Sequence, residues 1–216
     1  MRLLRLFYLV IFVVAGTLAV LWISHKTSPN SRMDNLYRFL VFDRPLSDDE
    51  HQPIIVFGDS QIAFAPWRLL YPLYGIANRG VVGETTGEML TRDWQLCQSP
   101  RETSVILAGT NDVRFGVAEK IAEANFSKLL KEATGCARKV IAASLLPIGQ
   151  KDLRARIAIF NRFIQRECST YTNCHYSDLH AILDDGDGGL PSIYTRDGGL
   201  HLSQIGYWRI RHVLLD

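Results

Sequence analysis

The chain has 216 residues, 47% of them hydrophobic and 21% charged, a balance that is typical of a globular protein and excludes extensive disorder. The formal net charge of +2 is small, and the lysines and arginines are spread along the sequence, so no surface for nucleic acid is indicated. The length is sufficient for one ordinary domain with a sizeable core.

The first predicted element is a membrane anchor at residues 6–23, an uncharged apolar run just long enough to span a bilayer. Arginines precede this run, so the positive-inside rule places the N-terminus in the cytoplasm. A cleaved signal peptide, whose apolar core is usually about 7–15 residues long, is the alternative. We therefore expect a single-pass inner-membrane anchor at 1–24, a polar linker at 25–52, and a periplasmic or extracellular domain at 53–216.

Beyond the linker, short apolar runs alternate with longer stretches of helical period, a pattern that indicates parallel strands joined by crossover helices. Strands are predicted at 54–57, 75–78, 104–108, 139–144 and 175–177. Helices are predicted at 88–97, 118–134 and 153–168, and after a cap at Ser203 up to Leu214. Five strands with these helices predict an α/β/α three-layer sandwich around a parallel sheet.

Polar residues follow the predicted strands at the points where those strands end. The candidates are Ser60 after the first strand, Gly80 after the second, Asn111 after the third, and Asp197 with His201 on the loop after the last. In open α/β sheets the ligand crevice lies outside the carboxyl ends of the strands, so we expect these residues to share one edge of the sheet.

These residue types fit acyl transfer through a covalent intermediate. Ser60 would attack an ester carbonyl, His201 would take and return the proton, and Asp197 would orient the imidazole. The backbone N–H groups of Ser60 and Gly80, with the side-chain amide of Asn111, would bind the oxyanion. This chemistry requires no metal and no other cofactor.

The segments that carry these residues resemble the four sequence blocks of the SGNH, or GDSL-type, hydrolases. VFGDSQ at 56–61, NRGVVGETT at 78–86, GTND at 109–112 and DGGLHLS at 197–203 stand in the order of that family. The resemblance extends over nearly all of residues 53–216. It implies a flavodoxin-like sandwich and ester hydrolysis, with the roles just described.

Two positions depart from the family pattern. Gln61 stands where the family usually has a hydrophobic residue, which predicts a more polar pocket beside the nucleophile. The triad acid of the family usually lies three residues before the histidine, but here that position is Gly198, and Asp197 lies four residues before His201. A bulge that absorbs the extra glycine would let Asp197 complete the triad. Otherwise the site would be a Ser-His dyad with a backbone carbonyl orienting the imidazole.

The cysteines are predicted to lie at the end of the sheet opposite the site, because each follows a helix or precedes a strand. They are Cys97, Cys136, Cys168 and Cys174. An even number of cysteines in a compartment that permits oxidation suggests disulfides. The neighbouring strand starts favour Cys97 with Cys136 and Cys168 with Cys174, and free buried thiols are the alternative.

Other polar features receive structural interpretations. Asp59 and Asp112 are expected to hold loop backbone beside the site, and Glu84 to cap a helix N-terminus. The acidic run at 184–189 (DDGDGG) lacks the terminal glutamate of a calcium-binding loop, since Thr195 occupies that place, and a solvated turn is favoured.

The sequence therefore predicts an anchored, extracytoplasmic serine esterase that acts on a small-molecule or saccharide ester. One alternative is an acyl- or O-acetyltransferase on envelope polysaccharide, because a sugar hydroxyl can resolve the same acyl-enzyme instead of water. Another is a carbohydrate-binding module without catalysis on the same scaffold. A short acyl group such as acetyl is favoured. The ester itself, the acyl acceptor and the oligomeric state are left open by the sequence.

Overall fold

The computed structural model describes residues 52–215, and the structural statements below concern that part of the chain. The predicted anchor at 1–24 and the predicted linker, apart from Gln52, lie outside the described residues. Within residues 52–215, no helix combines the length and the apolar character needed to cross a membrane.

One sheet forms the centre of the domain. Its strands are β1 (Ile54–Gly58), β2 (Ile76–Gly80), β3 (Arg101–Leu107), β4 (Ala137–Ala143) and β5 (Cys174–Ser177). All neighbouring strands run parallel, in the order β2-β1-β3-β4-β5. The predicted five-stranded parallel sheet is confirmed. In this order β1 lies between β2 and β3, so the switch point where ligands bind in such sheets is at the end of β1.

Among the described residues, six helices lie in the connections between successive strands, and two more follow β5. They are α1 (Ser60–Ala63), α2 (Trp67–Leu70), α3 (Thr86–Met89), α4 (Thr110–Phe115), α5 (Glu119–Cys136), α6 (Arg154–Cys168), α7 (Leu179–Leu183) and α8 (Gln204–Leu214). Short 3₁₀ segments span Leu90–Cys97, Lys151–Leu153 and Ser192–Tyr194. The helix predicted at 88–97 is α3 followed by 3₁₀ turns, because Arg92 has non-helical backbone angles. Ser203 caps α8 as predicted, accepting the N–H of Gly206 at 3.2 Å.

Apolar side chains of the strands pack against helices on both faces of the sheet. Phe57 and Ile106 belong to a buried cluster with α5 and α6. Val56 and Val105, which point the other way, belong to a second buried cluster with α1, α7 and α8. Because successive residues of a strand face opposite sides, a sheet covered on both faces needs near-continuous apolar strands, and that is the pattern of the sequence.

Disulfides close the end of the sheet where the strands begin. One joins Cys97, at the end of the 3₁₀ segment, to Cys136, at the end of α5. The other joins Cys168, at the end of α6, to Cys174, the first residue of β5. Both pairings are those that the sequence favours, and both lie away from the carboxyl edge where Ser60 follows β1.

The acidic loop at 184–189 is held by its own carboxylates. Asp184 Oδ1 accepts the N–H groups of Gly186 at 2.9 Å and Gly188 at 2.7 Å. Asp185 Oδ1 accepts two further amides of the same loop. Aspartates that bind backbone amides two to four residues ahead are typical of turns, which supports the turn interpretation over a calcium site.

Candidate active site

Ser60 is the first residue of α1, directly beyond the end of β1. Gly58, the last residue of β1, lies so close to β3 that a Cβ would come within 2.1 Å of the Leu107 carbonyl oxygen, so glycine is required at this position. Asp59 then caps α1, its Oδ1 accepting the Gln61 N–H at 2.9 Å. This geometry holds the Ser60 hydroxyl at the carboxyl edge of the sheet, on a rigid turn.

His201 and Asp197 complete a continuous set of contacts with Ser60. The Ser60 Oγ lies 2.9 Å from His201 Nε2, and the opposite ring nitrogen, Nδ1, contacts Asp197 Oδ2. The structure therefore brings together the three residues that the sequence predicts to work as a unit. In this arrangement an imidazole can accept a hydroxyl proton while a carboxylate fixes its orientation.

The turn that carries His201 accommodates its extra glycine through left-handed backbone. Gly198 and Gly199 have φ of 84° and 120°, a region that residues with a Cβ rarely adopt. Asp197 Oδ1 accepts the N–H groups of Leu200 at 3.2 Å and His201 at 2.9 Å, which folds the aspartate back onto the histidine. The spacing of four residues is thus compatible with direct contact between the two side chains.

The charge of Asp197 favours one tautomer of His201. Partial burial raises the pKa of Asp197, but the hydrogen bonds from the His201 backbone and ring, and the charge of the ring, outweigh burial, so the pKa lies below its ordinary value. An ionised carboxylate accepts a hydrogen bond from Nδ1–H and so keeps the proton on that nitrogen. His201 Nε2 is then left as the acceptor that faces the Ser60 hydroxyl.

Two of the three predicted oxyanion donors belong to Gly80, at the end of β2, and to Asn111, in α4 after β3. Gly80 is the last residue of β2, and a Cβ there would approach the backbone nitrogen of Ala63 in α1 to 2.2 Å. Its N–H donates to Asn78 Oδ1 at 3.0 Å. Asn111, in α4, donates one amide hydrogen to the Glu84 carbonyl at 2.9 Å, and its amide group carries a second hydrogen.

Glu84 corrects a sequence interpretation, because it does not cap a helix. Thr85 and Glu88 form the capping box of α3 instead. Glu84 pairs with Arg92, whose Nε donates to both carboxylate oxygens at 2.9 Å and whose Nη1 donates to the Arg79 carbonyl at 2.9 Å. The ion pair ties the loop after β2 to the 3₁₀ segment and so supports the backbone around Gly80 and Asn111.

The position of the Gln61 side chain also differs from the one that the sequence suggests. The prediction of a more polar pocket beside the nucleophile is wrong, because the Gln61 side chain is only 3% exposed and turns into the domain. Its Nε2 donates to the Leu200 carbonyl oxygen at 2.6 Å. Asp112 behaves as expected: its carboxylate accepts the N–H and the hydroxyl of Thr86 at 2.8 Å and 2.6 Å, joining α4 to α3.

Asp59, next to the nucleophile, is fully buried, and burial raises its pKa to about 7 against the opposing hydrogen bond from Gln61. The folded state thus holds this proton more tightly than the unfolded chain, so stability falls as pH rises from about 4 to 7. Asp59→Asn keeps an acceptor for the Gln61 N–H and cannot ionise. Between pH 4 and pH 8.5 the free energy of unfolding of the variant should therefore rise, relative to that of the wild type, by up to about 4 kcal/mol.

Urea unfolding of both proteins at these two pH values measures the effect. Asp178→Asn is the matched control, since Asp178 is an exposed aspartate that caps α7 by accepting the Ala181 N–H at 3.0 Å. If the free energies of unfolding of Asp59→Asn and the wild type differ by the same amount at both pH values, the raised pKa is contradicted.

A match over most of the domain decides the family. The sequence model of the GDSL-like lipase/acylhydrolase family matches residues 57–209, a range that includes every residue of the candidate site. The chain belongs to this family. It is accordingly an SGNH-type esterase, as the sequence blocks predict.

Solved structures share the fold of this GDSL-like esterase. A protein from Streptococcus pneumonia is 24% identical, with a TM-score of 0.69 over 94% of this chain and 97% of that chain. A GDSL-like lipase from Bacteroides thetaiotaomicron is 20% identical, with a TM-score of 0.68 over 86% and 94%. An acetylxylan esterase from Geobacillus stearothermophilus is 20% identical, with a TM-score of 0.61 over 76% and 92%. Among curated proteins, none matches the sequence.

Proposed function

We propose that this esterase cleaves acyl esters through a covalent intermediate on Ser60, with His201 as proton carrier and Asp197 as the carboxylate that orients it. The observation that carries the proposal is the continuous linkage of the three side chains. Ser60 Oγ lies 2.9 Å from His201 Nε2, and His201 Nδ1 contacts the Asp197 carboxylate. This linkage favours a triad over the dyad alternative.

The proposed reaction has two halves that use the same groups. Ser60 Oγ attacks the ester carbonyl carbon while its proton passes to His201 Nε2, and the alcohol leaves with that proton as its C–O bond breaks. Water then attacks the acyl-enzyme and gives a proton to His201, which returns it to Ser60 as the acid departs. Asp197 stabilises the imidazolium formed in each half.

The negative charge on the carbonyl oxygen requires donors, which we assign to the backbone N–H groups of Ser60 and Gly80 and to the Asn111 amide. The Gly80 N–H now donates to Asn78 Oδ1 at 3.0 Å, so an oxyanion must compete with a neutral amide oxygen. A charged acceptor forms the stronger hydrogen bond, which favours release of this N–H as charge develops on the substrate.

A short acyl group on a saccharide is the substrate that we propose. The rings of Phe64 and His201 form a T-shaped pair with centroids 5.3 Å apart, and the Arg196 guanidinium lies 4.1 Å from the centre of the Phe64 ring. We infer that this aromatic ring, held on two sides, narrows the space beside the nucleophile. A narrow space suits acetyl better than a long acyl chain. The acetylxylan esterase with the same fold offers a precedent for this class of ester.

We also propose that the domain works outside the cytoplasm, anchored by residues 1–24. The apolar run at 6–23 supports the anchor, and the disulfides Cys97–Cys136 and Cys168–Cys174 support an oxidising compartment. The intact chain is then expected in the inner-membrane fraction. Recovery of a soluble chain that has lost its N-terminus would instead indicate a cleaved signal peptide.

Hydrolysis of p-nitrophenyl acetate by the full chain, with and without added xylo-oligosaccharide, tests the proposed activity. We expect p-nitrophenol and free acetate to form in equal amounts, at a rate that the sugar does not change, because water resolves the acyl-enzyme. Acetylated sugar formed at the expense of acetate would indicate the transferase. Absence of p-nitrophenol release by folded protein, with and without sugar, would contradict the proposal and favour the binding module.

A further inference from the structure

We propose that Gln61 is a positioning residue that sets the location of His201 relative to Ser60. The inference rests on the function proposed above, and it assigns a role to a residue that departs from the family pattern. Gln61 directly follows the nucleophile in α1. Its side chain reaches the main chain on both sides of His201, which lies 140 positions later in the sequence.

The contacts of the Gln61 amide enclose the histidine. Nε2 donates to the carbonyl oxygen of Leu200 at 2.6 Å, immediately before His201. Oε1 faces the N–H of Leu202 at 3.5 Å, immediately after it, in a longer contact. One amide therefore binds a donor and an acceptor that flank the imidazole, an arrangement that fixes the backbone position from which the ring projects.

The backbone of Gln61, from which the side-chain amide projects, is itself fixed by hydrogen bonds. The backbone N–H of Gln61 donates to Asp59 Oδ1 at 2.9 Å, and its carbonyl oxygen accepts the Tyr207 hydroxyl of α8 at 2.8 Å. With a side chain only 3% exposed, Gln61 has little freedom to change rotamer. Ser60 and the residue that positions His201 are thus neighbours in the same helical turn.

A purely structural role explains these observations less well. A hydrophobic side chain, which the family usually has here, would fill a buried site without needing partners, whereas a buried amide must be hydrogen-bonded to avoid a desolvation cost. The turn at 197–200 has its own backbone contacts, including the Gly149 N–H donating to the Gly199 carbonyl at 2.7 Å. What Gln61 adds is a direct tie between the turn and the helix of Ser60.

The rate at which an alkyl fluorophosphonate modifies Ser60 tests this role without knowledge of the natural substrate. In that reaction the Ser60 Oγ–P bond forms, the P–F bond breaks, the serine proton passes to His201, and fluoride leaves. Gln61→Met keeps the length of the side chain but removes both hydrogen bonds. We expect labelling to slow by about 10- to 100-fold, because a displacement near 1 Å at the reacting groups has that effect.

Steady-state kinetics with p-nitrophenyl acetate separate positioning from substrate binding. Gln61 is only 3% exposed and its amide contacts the main chain of Leu200 and Leu202, so its replacement should lower kcat while KM stays within about twofold. The matched control is Asn173→Leu at the opposite end of the sheet, which removes two amide hydrogen bonds of 2.9 Å to the carbonyls of Thr134 and Ala137. It should lower Tm and leave labelling and kcat unchanged.

Folded Gln61→Met that is labelled at the wild-type rate would overturn the inference and leave the esterase proposal intact. If Gln61→Met does not fold, Tyr207→Phe replaces it, since it keeps the ring and removes the hydroxyl that donates to the Gln61 carbonyl oxygen. A labelling rate reduced by at least about threefold is expected for Tyr207→Phe, and an unchanged rate overturns the inference. A wild type that is not labelled would overturn the proposed function itself, and the positioning role with it.

Discussion

Ser60→Ala is expected to lower kcat/KM for p-nitrophenyl acetate by about 10⁴-fold or more, because it removes the atom that we propose as the nucleophile. Alanine fits the site without strain, since Ser60 is a helical residue that is 7% exposed and its hydroxyl contacts His201. Tm should therefore change little. Ser169→Ala is the control: Ser169 lies at the end of α6, and its hydroxyl bonds only a local carbonyl, that of Arg166, at 2.6 Å.

The contact between Ser60 and His201 leads to a second prediction, for the variant that lacks both side chains. His201→Ala alone should be about as damaging as Ser60→Ala, and the double variant should be no slower than either single variant, because groups that act as one unit give strongly non-additive losses. Rate losses that multiply in the double variant would mean that the two residues act independently. That result would contradict the linkage at 2.9 Å as the basis of catalysis.

The fold could be predicted from the sequence because its signals are local. A parallel sheet covered on both faces leaves continuous apolar runs such as IIVFG at Ile54–Gly58, and long amphipathic helices such as Glu119–Cys136 keep their period. The α-helix predicted at 88–97 is wrong beyond Met89, where 3₁₀ turns with a kink at Arg92 take its place. Arg92 leaves helical geometry while its guanidinium binds Glu84 and the Arg79 carbonyl, contacts that no local pattern encodes.

The candidate site also has features that the local sequence predicts and features that depend on packing. The placement of four candidate residues at the carboxyl edge could be predicted, because each falls just after a predicted strand or in a recognisable block; they are Ser60, Gly80, Asn111 and His201. The supporting contacts could not, since they join positions that are distant in the chain and depend on packing. Gln61 is the clearest case: the sequence marks it as unusual, but only the fold shows that its amide lies against Leu200 and not in the pocket.

Asp197 could be chosen from the sequence as the candidate acid, but its contact with the His201 ring could not be predicted. A count of four residues to His201 allows either a triad or a dyad. Two glycines with positive φ make the turn tight enough for the carboxylate to reach Nδ1 and also to accept the His201 N–H at 2.9 Å. The same carboxylate thus shapes the turn and faces the ring, and a substitution must separate these effects.

Asp197→Asn provides that separation. The asparagine Oδ1 can still accept the N–H groups of Leu200 and His201, so the turn should persist, but an NH₂ group would face Nδ1 in place of a carboxylate oxygen. This favours the tautomer with its proton on Nε2, which cannot accept the serine proton. We expect kcat to fall by about 10³- to 10⁴-fold, with Tm nearly unchanged.

Asp185→Asn is the matched control, because Asp185 Oδ1 likewise accepts two loop amides at 2.9 Å, those of Asp187 and Gly189, at a turn without a histidine partner. It should leave kcat unchanged. A loss of less than about tenfold for Asp197→Asn, beside a full loss for Ser60→Ala, would show that the Asp197 charge contributes little to catalysis. The site would then work as a dyad, with Asp197 acting mainly through the backbone of the turn.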